Sequence, residues 1–198
     1  MLSRFLKDPK EIHMKAVKWT LDYLYTTKTR TLIYKNDGKN YFDIFTDASC
    51  ADCPDAKSTY GYIVKYASAP ISWCSNKVPC LVTSSIEVEY VTPSETLKEG
   101  TCLDEILKVL EIKSVRHRLH IDNESAIKLT NHPICHSKTK NIRTRYHFAR
   151  ELVKSGLIEV HHVGTKDQIA DICTKVLPRK QFEYLSELLF NTHHLEKS

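Results

Sequence analysis

Six acidic residues stand where a metal-assisted hydrolase would want them. Asp47 falls inside the alternating run YFDIFTD, and Asp122 ends the run SVRHRLHID. Glu87 and Glu89 lie in the first turns of a long helical stretch, and Asp167 and Asp171 follow the last β-forming run. A carboxylate at a strand end, where the chain turns to enter a helix, is a poor core residue and a good ligand position. Several of them converging on one sheet edge repel unless cations neutralise them. Hard oxygen donors that leave water positions open select Mg²⁺, and two such ions about 4 Å apart clamp the attacking water and the leaving oxygen of a phosphodiester. Taken singly, each acid is more often a solvated surface charge. Geometry removes one alternative and leaves another open. Residues two apart on a helix point about 200° apart, so Glu87 and Glu89 cannot both serve, whereas Asp167 and Asp171, four apart, share a face.

Placing these acids together requires particular elements. Helical spacing of Ile12, Ala16, Trp19 and Tyr23 predicts a helix from about residue 9 to 25, followed by a polar connection to residue 40. Strands are predicted at YFDIFTD, TYGYIVKY and PISWCS, then a helix over 84–110. Pro93 falls inside that helix, where the missing N–H and the ring clash cost about 3 kcal/mol or kink the chain. The second half alternates: a strand ending at Asp122, a short helix at ESAIKLTN, and a basic helix stopping at Gly156. A strand at LIEVHHV comes next. Thr165-Lys166-Asp167-Gln168 has the form of a capping box opening a helix through Lys175, and a last helix spans 179–190. Trp19, Trp73 and Tyr90 read as core. Strands first and alternation afterwards argue for an α/β fold, a mixed sheet covered by helices.

Composition narrows the field. The chain has 198 residues, 41% hydrophobic and 27% charged, a globular balance. No window approaches the roughly 20 apolar residues of a membrane span, and the N-terminal stretch lacks the apolar region of a secretory signal. The expectation is an intracellular protein, cytoplasmic (particle-associated) or nuclear, without a membrane partner. The formal charge of +5 is compatible with a polyanionic partner. Seven scattered cysteines form no disulfide framework. Cys50 and Cys53 with His132, Cys135 and His136 invite a zinc reading, which their distance in sequence argues against. The five glycines build neither a Walker loop nor a dinucleotide cradle.

The runs TDAS, KSTYGYIV, ISWCSNK, SSIEVEY, IDNESAIKL, HPICHSKTKNIRTRYHFARE and HVGTKDQIADICTKVLP together resemble the ribonuclease H domain of copia-type retrotransposon polyproteins, over about residues 41–190. Residues 1–40 resemble the segment joining reverse transcriptase to that domain, without a Y-x-D-D polymerase signature, and residues 191–198 read as a frayed tail. The resemblance implies a ribonuclease H-like fold, a five-stranded mixed sheet with helices on both faces. It implies Asp47, Glu89, Asp122 and Asp171 as ligands of two Mg²⁺ ions, with Mn²⁺ as a substitute, and cleavage of the RNA strand of RNA·DNA hybrids. His162 would be the mobile histidine of related ribonucleases. The implied partners are the hybrid and, in the same ancestral polyprotein, reverse transcriptase and integrase.

Residues 136–150 carry His136, Lys138, Lys140, Arg143, Arg145, His147 and Arg150 interleaved with Tyr146 and Phe148, a pattern able to track a phosphate backbone. Ser49, Ser84, Ser85 and Asn123, beside the acids, are candidate contacts to sugar and phosphate, each with a cap or turn as its plainer role. Pro93, Gly100 and Arg143 depart from the family's usual residues. They favour the alternative of a catalytically inactive remnant that binds hybrid or RNA without cutting it.

Overall fold

Alternation along Tyr41–Ser49 (β1) sends Phe42, Ile44 and Thr46 to one side of a sheet and Phe45 and Asp47 to the other. In this computed structural model the described residues are 2–35, 41–49, 58–78, 85–112, 116–122 and 140–190, with backbone alone for 3, 4, 85–87, 89–91 and 140–146. Thr59–Tyr66 (β2) and Ala69–Lys77 (β3) follow β1, then the helix Ser85–Val109 (α2), Arg116–Ile121 (β4), the helix Lys140–Lys154 (α3) and Ile158–His162 (β5). Asp171–Thr174 (α4) and Arg179–Phe190 (α5) close the order.

The sheet runs β3-β2-β1-β4-β5. β1 pairs antiparallel with β2, and β2 with β3, whereas β4 lies parallel to both β1 and β5. One face, with Phe42, Ile44, Val64, Leu119, Ile121 and Ile158, is closed by Leu97 of α2 and Ala149 of α3. On the other face Ile63 packs with Ile169 and with Leu185 of α5. The mixed five-stranded sheet with helices on both faces is thus the architecture implied by the sequence. Gly156, at φ +73°, ends α3 in the left-handed conformation that favours glycine there.

Residues 1–32 form a unit separate from residues 33–198. It contains a 3₁₀ turn, Leu2–Phe5, and the helix Glu11–Thr27 (α1), which buries no residue. His13 Nδ1 accepts from the Lys10 N–H at 3.0 Å, and its ring stacks on Phe5.

Two expectations need correction. Trp19 and Trp73 are not core residues: they are 76% and 63% exposed. Trp19 has the right helical spacing on a helix that buries none of its residues, and Trp73 lies on the edge strand β3. The long helix expected over 84–110 does run through Pro93, as α2. Val88, Thr92, Pro93, Ser94, Thr96 and Leu97 are all buried, and this packing outweighs one missing backbone hydrogen bond. Second, Thr165–Gln168 opens no helix. Turns occupy residues 165–167, and the helix begins only at Asp171. The helix expected at ESAIKLTN and the tail 191–198 lie outside the described residues, as do the paired cysteines and histidines of the zinc reading.

At the opening of β4, His117 is 4% exposed, lies against Phe42 and leaves Nδ1 without a hydrogen-bond partner. Burial lowers its pKa below the ordinary histidine value, and Lys108 on α2 adds to this while Asp104 opposes it. The unfolded chain therefore takes up a proton near pH 6.5 that the folded chain refuses, so stability falls as pH drops below about 6.5. His117→Leu should lose less stability than the parent between pH 7.5 and 5.5 in urea unfolding. An equal loss in both would show that His117 does not drive the acid limb.

Candidate active site

Parallel pairing brings the C-terminal ends of β1 and β4 to the same edge of the sheet. Their register runs to Phe45 opposite His120, and two residues further along the chain stand Asp47, still in β1, and Asp122, just past the end of β4. A third acid, Asp171, arrives from the first position of α4. Carboxylate oxygens of Asp47, Asp122 and Asp171 all lie within 4.8 Å of one another. That spacing suits oxygen donors around a hard divalent cation, which takes carboxylates together with water.

Local packing explains how α4 reaches the strands. Gly61 of β2 pairs with Asp47, and a Cβ at Gly61 would lie 2.5 Å from the Cys173 Cβ and 2.9 Å from the Thr174 Cγ2. Only glycine lets α4 lie this close. Fully buried Gln168 makes the second link: its Nε2 donates to the Thr46 carbonyl at 3.1 Å, and its Oε1 accepts from the Ala170 N–H at 3.3 Å. Ser75 Oγ of β3 donates to the Cys173 carbonyl at 2.6 Å. Asp171 is thereby tied to the sheet through its neighbours on both sides.

Each acid has a defined environment. Asp47 accepts a hydrogen bond from the Thr174 hydroxyl and pairs with Lys175 Nζ at 3.2 Å. The same Nζ lies 2.9 Å from Asp171 Oδ1. Like charges at this separation repel by about 3–4 kcal/mol per pair at an effective dielectric of about 20. Burial raises the pKa of Asp122 from its ordinary value, and the negative charge of Asp47 raises it further. Asp171 is also raised, by burial first, against a lowering hydrogen bond from Lys175. Burial lowers the Lys175 pKa, but its bonds to Asp171 and Asp47 outweigh this and leave it raised, so the ammonium stays charged.

The sequence candidates divide accordingly. Asp47, Asp122 and Asp171 come together. His162 sits beside them, its Nε2 3.2 Å from the Asp122 carbonyl. Asp167 is elsewhere and accepts from the Tyr184 hydroxyl at 2.6 Å, which separates it from Asp171 where helical spacing did not. Ser49 is buried two residues beyond Asp47 on β1. Glu89 and Ser85 belong to α2, and Lys140 and Arg145 to α3, by backbone only; Ser84, Asn123, His136 and Lys138 lie outside the described residues. Sequence reasoning missed Gly61, Gln168, Thr174 and Lys175. The only signal for Lys175 was its position one helical turn after Asp171.

Gly61→Ala should push α4 off β2 and spread the carboxylates. Its expected effects are a thermal midpoint lower by several degrees, in the range of an overpacked core site, and weaker divalent-cation binding by calorimetry. Parent-like values for both would show that α4 tolerates the extra methyl group.

No protein-family model matches the chain. It is similar to the retrovirus-related Pol polyprotein from transposon TNT 1-94 of Nicotiana tabacum, with 36% identity over 190 residues, 96% of this chain and 14% of that polyprotein. Against the Pol polyprotein from transposon RE1 of Arabidopsis thaliana it is 39% identical over 184 residues, 92% of this chain and 13% of the relative. The chain thus spans a small part of either polyprotein. The solved structure of LC11-RNase H1 in complex with an RNA/DNA hybrid superposes with a TM-score of 0.51 at 12% identity, covering 67% of this chain and 93% of that one. With relatives matched along nearly its whole length and this fold, the chain belongs to the family of retrovirus-related Pol polyproteins from copia-type transposons, as a portion folded like ribonuclease H.

Proposed function

We propose that this domain hydrolyses the RNA strand of RNA·DNA hybrids, leaving a 3′-hydroxyl and a 5′-phosphate, with two divalent cations held by its acidic residues. The observation that carries the reading is the convergence of Asp47, Asp122 and Asp171 within 4.8 Å at the ends of two parallel strands and one helix. Ligands of α/β sheets commonly bind at the carboxyl ends of the strands. All-oxygen donors with room for water fit Mg²⁺, with Mn²⁺ as a substitute. When bound, such cations would supply Lewis acidity to the attacking water and to the scissile phosphate.

The chain's own residues have separable tasks. Asp47, Asp122 and Asp171 hold the cations, with Glu89 of α2 as the fourth ligand. Thr174 fixes one Asp47 oxygen through its hydroxyl, so that the other can turn to a ligand. His162, exposed beside the Asp122 carbonyl, can exchange a proton with solvent as product leaves. Lys140, Arg143, Arg145 and Arg150 of α3, with His136 and Lys138 before it, provide positive charge for the phosphate backbone. Ser49, Ser85 and Asn123 would meet sugar and phosphate, where the 2′-hydroxyl distinguishes RNA. Within a longer polyprotein, reverse transcriptase would supply the hybrid and integrase would use the resulting DNA.

The inactive alternative drew on Pro93, and α2 runs through that residue without a break. A labelled hybrid duplex incubated with the chain and Mg²⁺ should be cut in its RNA strand. Asp47→Asn should lower the rate at least about 100-fold, as loss of a group stabilising transition-state charge does. Cutting that persists in the variant removes Asp47 from the site, and an uncut hybrid with the parent favours the inactive alternative.

A further inference from the structure

The ammonium of Lys175 already lies where a metal ion would have to go. Its Nζ is 3.2 Å from Asp47 Oδ1 and 2.9 Å from Asp171 Oδ1, and these two side chains are 5% and 2% exposed. Neither acid has water enough around it to neutralise its charge, so the ammonium serves as their counter-ion. A divalent cation ligated by the same two oxygens needs the same space, and ammonium and metal repel each other there. The lysine has somewhere to go. Its side chain is 32% exposed, four methylenes long, and attached just past the last residue of α4, before a stretch without helix or strand at 176–178.

We propose that Lys175 is the resident cation of the carboxylate pocket, and that divalent ions bind by exchanging with it. This rests on the reading above that the three acids bind divalent cations. Without metal, the ammonium keeps Asp47 and Asp171 drawn together and leaves Asp122 facing a smaller net charge. With metal, the lysine swings into water. The exchange makes metal binding weaker than bare carboxylates would allow, while the pocket keeps its shape when empty of metal.

The test uses the full chain, with Mg²⁺ alone as ligand. Lys175→Met keeps the aliphatic stem and removes the charge, and Lys175→Arg keeps the charge. In EDTA, Lys175→Met should melt below the parent. By calorimetry it should bind Mg²⁺ at least about threefold more tightly, because no fixed positive charge opposes the ion, whereas Lys175→Arg should bind no more tightly than the parent. Unchanged or weaker Mg²⁺ binding by Lys175→Met, with normal binding by the parent, overturns the exchange and leaves the metal site standing. Absence of Mg²⁺ binding by the parent overturns both.

A measurement on the parent itself does not depend on the variants folding. Amine acetylation of Lys175, followed by mass spectrometry, should be slow in EDTA and accelerate when Mg²⁺ saturates the protein. A rate that stays constant or falls with Mg²⁺ overturns the proposal.

Discussion

Carboxylates within 4.8 Å of one another, two of them nearly without exposure, resist being assembled, and much of the domain is arranged to hold them there. Burial makes the repulsion worse because it removes the water that would screen it. The framework answers with bonds between backbone and side chain rather than between the acids. Gln168 fastens the segment before α4 to the Thr46 carbonyl, and Ser75 fastens the Cys173 carbonyl to β3. Gly61 removes the one side chain that would keep α4 at a distance. Charge enters last, through Lys175.

Sheet topology makes this economical. Because β1 and β4 run parallel, both ends that carry acids lie at one edge, and β5, parallel to β4, puts His162 opposite Ile121 at that same edge. Alternation then separates the two requirements of the strand. Phe42 and Ile44 join the core with Leu97, while Asp47, on the opposite face, meets the hydroxyl and ammonium of Thr174 and Lys175. One strand thus serves packing and chemistry without placing a charge in the main core.

Legibility in the sequence followed the range of the interaction. Period-two alternation and helical spacing are local, so the five strands and the principal helices could be read, with ends displaced by a residue or two. Asp47 and Asp122 were legible because strand ends are places where an acid is out of character for a core, whereas Asp171 was set apart from Asp167 only by the family resemblance. What was lost depended on distant partners. Thr165–Gln168 looked like a capping box, but the Thr46 carbonyl, 122 residues away from Gln168, takes the glutamine amide. Gly61 seemed an ordinary strand residue until a helix more than 100 residues later was laid on it. Trp19 and Trp73 were misread because spacing identifies an apolar stripe without revealing whether anything covers it.

The same strand, β4, carries opposite electrostatic strains at its two ends. His117 at its start is buried against Phe42 and takes a proton less readily than in the unfolded chain, so acidification costs stability there. Asp122, just past its end, and Asp171 beside it hold protons more readily than the unfolded chain does, so acidification relieves repulsion at the site. The two effects oppose each other as pH falls. A pH profile of the metal-free chain therefore reports a balance between core and site. Filling the carboxylate pocket with a divalent cation removes the site's side of that balance, because a proton must then displace an ion. The core's side is unchanged, so with metal bound the chain should show the acid sensitivity of its buried histidine with less compensation.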